Sequence, residues 1–199
     1  MRLLVASNNQ GKIREIKSIL EGKIEVLSPL DISLDLSILE SGKTLHENAI
    51  KKGLAYFRHS RICSLGEDTG LEVEALDGKP GVNSARYSGS GDEENRKKLL
   101  KELWGRDDRR ACFRAVMALV IQEDWIECFE GVMRGKISRS ERGSAGFGYD
   151  PIFIPDGFNK TFGEMDCGEK NKISHRRRAL EKVLSFIQRE WDEVEKFCK

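Results

Sequence analysis

The stretch "ACFRAVMALVI", Ala111 to Ile121, constrains the fold more than any other part of the chain. Apolar, β-branched and aromatic side chains run through it with Arg114 as the one charge, a composition that suits a buried strand. Gln122, Glu123 and Asp124 then lead into a second run of the same character, Trp125–Phe129, so the pair is predicted to form a β-hairpin. Near the N-terminus, Leu3–Ala6 reads as a short buried strand, and "SNNQGK", residues 7–12, hands it over to Ile13, Ile16, Ile19 and Leu20 at helical spacing. A strand–turn–helix unit in the same chain as a hairpin predicts an α/β protein with a mixed sheet.

The remaining elements follow the same logic. Thr44 and Glu47 form a capping box that opens a helix carrying Ala49, Ile50, Leu54 and Phe57, which makes Glu47 a cap rather than a catalyst. Ile62–Leu65 is a strand candidate ending at Gly66, and "DGKPG" is a turn. Asp92 to Trp104 reads as a surface helix with Leu99, Leu100 and Leu103 on its inner side. "GSAGFGYDP" is a glycine-rich loop ahead of the strand Ile152–Ile154. From Ser174, the residues Leu180, Val183, Leu184, Ile187, Trp191 and Val194 mark one long amphipathic helix.

With 199 residues, 39% of them hydrophobic, the chain can bury an ordinary core. Lys and Arg number 34 against 33 Asp and Glu, so a net charge of +1 gives no global field toward nucleic acid or anionic lipid. No segment approaches the ~20 apolar residues of a membrane span. Five scattered cysteines without a CxxC pair argue against both a disulfide framework and a zinc site, and favour a cytoplasmic location.

Four stretches carry chemistry. In "SNNQGK", amides at a helix N-terminus together with Lys12 suit a phosphate, although Ile13 replaces the Ser/Thr of a Walker loop; the plain alternative is an Asn-rich capping turn. In "GEDTG", residues 66–70, Glu67 and Asp68 point to opposite faces if the strand continues, so one of them looks into a given site. A hard divalent ion takes a few carboxylates plus phosphate oxygens, and Glu40 in "LESGK" can supply a second; the alternative is an acidic turn in solvent. In "SHRRRAL", cations fill the first turn of a helix, where each opposes the dipole by roughly 0.3–1 kcal/mol, so an acceptor or anion is expected opposite them. In "GFGYDP", glycines beside Phe147 and Tyr149 let backbone and an aromatic ring approach a flat ligand, while at least one of the two rings is expected in the core.

In order, "SNNQGK", "ESGKTLHENA", "EDTGLEVEALDGKPGVNSARYSG", "GFGYDPIF" and "EKNKISHRRRAL" resemble the Ham1/RdgB-type inosine triphosphate pyrophosphatases, from residue 5 to about 180. The resemblance implies an elongated mixed sheet flanked by helices, a single domain of two lobes around a cleft, related to the Maf-like folds, and a homodimer. It implies a hydrolase that converts ITP, dITP and XTP to the monophosphate and pyrophosphate with Mg2+, a small-molecule enzyme with no stable nucleic-acid or membrane partner. Carried onto this sequence, Ser7, Asn8, Asn9, Gln10, Gly11 and Lys12 would hold the triphosphate, with Lys12 at the reacting phosphates. Glu40 and Asp68 would position the metal, and Asp68 would act as general base. Thr69 keeps the hydroxyl of a frequent family Ser, and Arg86 would be a further phosphate contact. Phe147, Gly148, Tyr149 and Asp150 would form the base and ribose wall, and Lys170, His175 and Arg176 would line the base pocket. The reading from another class is a non-catalytic nucleotide- or RNA-binding module that docks phosphates on His175 to Arg178.

Overall fold

The structure is a computed structural model and describes residues 1–198. Strand β1 (Arg2–Ala6) pairs in parallel with β2 (Glu25–Leu27) and with β3 (Ser64–Val73), with Leu3 opposite Val26 and Val5 opposite Leu65. Helix α1 (Gln10–Leu20) connects β1 to β2, and α2 (Leu45–Ser60) lies between β2 and β3, as parallel neighbours require crossovers. The two-residue β4 (Pro80–Gly81) adds to β3 antiparallel. After α3 (Asp92–Glu102) come β5 (Arg110–Val120) and β6 (Ile126–Ile137), adjacent strands whose turn is closed by the Ile121 amide on the Trp125 carbonyl at 3.0 Å. The expected hairpin is therefore present. Strand β7 (Phe153–Pro155) runs antiparallel to β6, and the order β2-β1-β3-β5-β6-β7 is that of a mixed sheet. Helices α4 (Cys167–Ile173), α5 (His175–Arg189) and α6 (Trp191–Phe197) close the chain.

Two compact units share these elements. The first comprises Met1–Asp68, Ala115–Gly131 and the chain from Arg176 onward; the second comprises Thr69–Arg114 and Val132–His175. Within the first, the continuous apolar run of β1 is explained by burial on both faces: Leu3 and Val5 join α1, β5 and α5 in one core, while Leu4 and Ala6 meet Tyr56 in another. The second unit is built on Leu71, Val73, Leu99 and Leu103 with a cluster of rings in which Phe113 lies 4.7 Å from Phe153 and 6.2 Å from Phe162.

Several sequence expectations need correction. The strand predicted to stop at Gly66 continues through Glu67 and Asp68 to Val73, so both carboxylates are strand residues rather than turn residues. The helix predicted from Ser174 to Val194 breaks at Glu190 (φ −102°, ψ 22°), and α6 then brings Val194 and Cys198 onto the first core. Ser174 closes α4, its amide bonded to the Lys170 carbonyl, and directly precedes α5. Trp104 lies beyond the end of α3 and is exposed. Cys63 and Cys198 form a disulfide that fastens the C-terminal helix to the start of β3, which the scattered cysteines had argued against. Among the described residues no helix is long and apolar enough to cross a membrane.

Candidate functional site

In the first unit the turn after β1 is shaped by its own side chains. Asn9 caps α1 by accepting from the Lys12 amide at 3.1 Å, and Ser7 Oγ accepts from the Asn9 amide at 3.2 Å. Asn8 is tied down from both ends of its amide group: its Nδ2 donates to the Leu36 carbonyl, and its Oδ1 accepts from the Tyr56 hydroxyl, each at 3.0 Å. Asn8, Asn9 and Gln10 are exposed, so the first-turn amides and Gly11 are presented at a helix N-terminus, where an anion is stabilised. Lys12, half-buried, reaches back to Glu67 Oε2 at 2.8 Å.

The pleat of β3 sends Glu67 and Asp68 to opposite faces, as strand alternation requires. Glu67 faces Lys12 and Arg176. Asp68 faces α2, where its Oδ2 accepts from Asn48 Nδ2 at 3.1 Å and its Oδ1 from Lys52 Nζ at 2.9 Å. Lys52 also holds Glu40 at 2.6 Å, so one ammonium joins both expected metal ligands. This close approach of helix and strand depends on glycine: a Cβ on Gly66 would collide with the Ala49 carbonyl and stand 2.6 Å from the Gly53 amide nitrogen. Burial pushes the Asp68 pKa up, and this outweighs the opposing pull of Lys52 and Lys12. For Lys52, burial works against the charged form, but Asp68 and Glu40 overcome it and its pKa is raised.

Sequence reasoning missed Asn48 and Lys52. Their signal was present, since Asn48, Lys52 and Tyr56 recur every fourth residue on the buried face of α2, polar groups where an apolar stripe would otherwise run. Arg176 also differs from expectation. It is 1% exposed and gives Nη2 to Glu67 Oε1 at 2.9 Å, Nε to the same oxygen at 3.3 Å, and Nη1 to Glu15. The anions expected opposite the basic turn are thus two carboxylates of the chain itself. His175 is also buried and Arg177 is paired to Glu181, so of the turn His175 to Arg178 it is Arg178 that is exposed, a narrower basic face than the sequence suggested.

The second unit holds the other expected residues. Thr69 follows Asp68 in β3 and is half-buried, and Arg86 ends a short 3-10 turn with its side chain exposed. The loop at Gly148 is fastened to α3, with the Gly148 amide on Asp92 at 2.8 Å and its carbonyl accepting from Arg96 at 3.0 Å. Asp150 accepts from the Phe147 amide at 2.9 Å and from Lys170 Nζ at 2.5 Å, and Lys170 lies 4.9 Å from the Phe147 ring centre. Phe147 is half-buried, so a flat ligand can reach its ring. Tyr149 is a core residue instead: it is buried, its hydroxyl donates to the Ser84 carbonyl at 2.9 Å, and burial raises its pKa. His175 stacks on Phe113 with ring centres 4.6 Å apart.

The first unit thus holds a helix N-terminus that suits an anion and a buried carboxylate with raised pKa, and the second unit holds a loop with a half-buried aromatic ring. The sequence matches the Ham1 family over residues 3–186. The chain belongs to the Ham1 family. Members similar to it include the dITP/XTP pyrophosphatase of Christiangramia forsetii, 44% identical with 95% of this chain and 100% of the relative covered. The dITP/XTP pyrophosphatase of Aquifex aeolicus is 44% identical, covering 94% and 97%. Among solved structures, the Ham1 protein of Staphylococcus aureus superposes with a TM-score of 0.84 at 38% identity, over 96% of this chain and all of that one.

Does this Ham1-family site suit a metal? Among the described residues no group of three or more His, Cys, Asp or Glu side chains stands ready to hold one. Glu40 and Asp68 nevertheless converge on the single Lys52 ammonium, which makes them a pair of hard oxygen donors around one cation. Two carboxylates completed by substrate phosphate oxygens fit a divalent ion of the magnesium type.

Proposed function

We propose that the chain hydrolyses the deaminated purine nucleoside triphosphates ITP, dITP and XTP to the monophosphate and pyrophosphate. The observation that carries this is the buried Asp68, held by Asn48 and Lys52 and close enough to Lys12 to feel its charge. The amides at the start of α1 and Lys12 bind the triphosphate. Asp68 takes the proton of the attacking water, and its raised pKa makes it a stronger base than an ordinary carboxylate. Lys52 holds that carboxylate in one orientation. Glu40 and Asp68 would hold Mg2+, which when bound neutralises charge on the phosphates.

Base selection is assigned to the second unit. Hypoxanthine and xanthine carry an acceptor oxygen at C6 where adenine carries an amino donor, so donors on Lys170 and His175 favour the former. A buried donor left without its acceptor costs about 1–3 kcal/mol, enough to disfavour adenine. Phe147 stacks on the purine. A cytoplasmic location rests on the nucleotide pool alone and no longer on the cysteines, since Cys63 and Cys198 are joined, and a homodimer is what the family resemblance implies.

The deciding experiment is pyrophosphate release from dITP, XTP, GTP and ATP, with Mg2+ and with excess chelator. Rapid metal-dependent release from dITP and XTP is expected, and Asp68→Asn should lower kcat by about 10²–10⁴-fold. An Asp68→Asn protein that turns over dITP at the parent rate sinks the mechanism.

A further inference from the structure

We infer that Asp92 and Arg96 of α3 are positioning residues that aim the Phe147 ring at the purine; the inference rests on the proposed nucleotide-hydrolysing function. Asp92, Arg96, Phe147, Gly148 and Asp150 all belong to the second unit. Phe147 stands between Gly146 (φ 77°) and Gly148 (φ 60°), both in the left-handed region that glycine enters freely. A loop of this composition does not hold a ring still by itself, so the direction of Phe147 must be imposed from outside the loop.

A side chain leaves the backbone in a direction set by φ and ψ, that is, by the two peptide planes that flank its Cα. Each of the two planes around Phe147 is held by a carboxylate. On the preceding side, the Phe147 amide donates to Asp150 Oδ2 at 2.9 Å, and Asp150 is buried and also accepts from Lys170. On the following side, the Gly148 amide donates to Asp92 Oδ2 at 2.8 Å. Arg96 Nη1 then donates to the Gly148 carbonyl at 3.0 Å, which holds the next plane as well. Asp92 and Arg96 are four residues apart, so one face of α3 grips Gly148 at both its amide and its carbonyl. The helix is a firm support: Leu99 sits in the core of the unit, and buried Asn95 donates to the Ser84 and Ala85 carbonyls at 3.3 and 3.1 Å. With both planes fixed, the half-buried ring retains only its own two torsions. Backbone freedom given up before the purine arrives is a cost removed from binding.

The test separates base from phosphate and Asp92 from its neighbour. For Asp92→Ala, KM and kcat for dITP would be measured beside the affinity for inorganic tripolyphosphate, which has phosphates and no base, by titration calorimetry with Mg2+. The expected result is a KM for dITP raised about fivefold, with kcat and tripolyphosphate affinity unchanged. Asp92→Asn keeps an oxygen that accepts from the Gly148 amide and should restore most of the loss. Glu93→Ala removes an acid from the same helical turn that pairs with Lys97 instead of the loop, and should leave KM as in wild type. In a Phe147→Ala background, Asp92→Ala should add no further rise in KM, because the ring it positions is gone. An unchanged KM in Asp92→Ala overturns the inference, as does a full additional rise in the Phe147→Ala background or an equal rise in Glu93→Ala. If Asp92→Ala does not fold, Arg96→Ala decides by the same measurements. Wild type that binds dITP but releases no pyrophosphate defeats the enzymatic reading alone; the dissociation constant of dITP then takes the place of KM, and the same variants still decide the positioning claim.

Discussion

Lys52 Nζ lies 2.9 Å from Asp68 Oδ1, and both side chains are buried. Burial raises the Asp68 pKa, and Lys52 restrains that rise. A general base must be ionised, so activity climbs as pH passes upward through its pKa. Lys52→Met removes the restraint, and the acid limb of kcat/KM should move to higher pH, with activity at neutral pH down by about tenfold or more. An acid limb at the wild-type position would mean that Asp68 is not the titrating group.

Phe147 and Tyr149 are two residues apart and have different fates. Tyr149→Phe removes a buried hydroxyl from the Ser84 carbonyl and should cost about 1 kcal/mol of stability with KM for dITP unchanged. Phe147→Ala removes a stacking surface and should raise that KM by about tenfold, leaving tripolyphosphate affinity intact. Thermal melts and steady-state kinetics on the two variants separate the roles, and equal effects on KM would refute the assignment.

Gly66 links the fold to the site. Gly66→Ala would drive a methyl into the Ala49 carbonyl and lift the helix that carries Asn48 and Lys52 away from β3. A loss of about 1–3 kcal/mol is expected from the overpacking, together with a fall in kcat. Retention of full activity in a destabilised protein would show that helix placement does not govern Asp68.

The Cys63–Cys198 bond predicts the thiol count. Alkylation of the unfolded, unreduced protein should label Cys112, Cys128 and Cys167, with two further labels appearing after reduction. Within the native fold Cys112 should be the slow one, because burial and then Glu72 push its pKa up to about 11. Cys198→Ser should lower stability by about 2–4 kcal/mol, read as a drop in the midpoint of chemical unfolding.

The sequence by itself determined the local pieces. Alternation and apolar runs marked β1, the hairpin and the core face of α5, and Thr44 marked the start of α2, because each is written in neighbouring residues. The opposite orientation of Glu67 and Asp68 followed from the pleat alone. Tertiary structure decided who meets whom. Lys52 is an ordinary lysine in its own helix and becomes the partner of Glu40 and Asp68 only when Gly66 lets α2 settle on β3. Arg176 reads as one of three surface arginines until α5 carries it between Glu15 and Glu67, 161 and 109 residues away in the chain. Cys63 and Cys198, 135 residues apart, are joined in the same way. Such contacts depend on distances that packing sets, and a linear pattern of residue types contains no such distances.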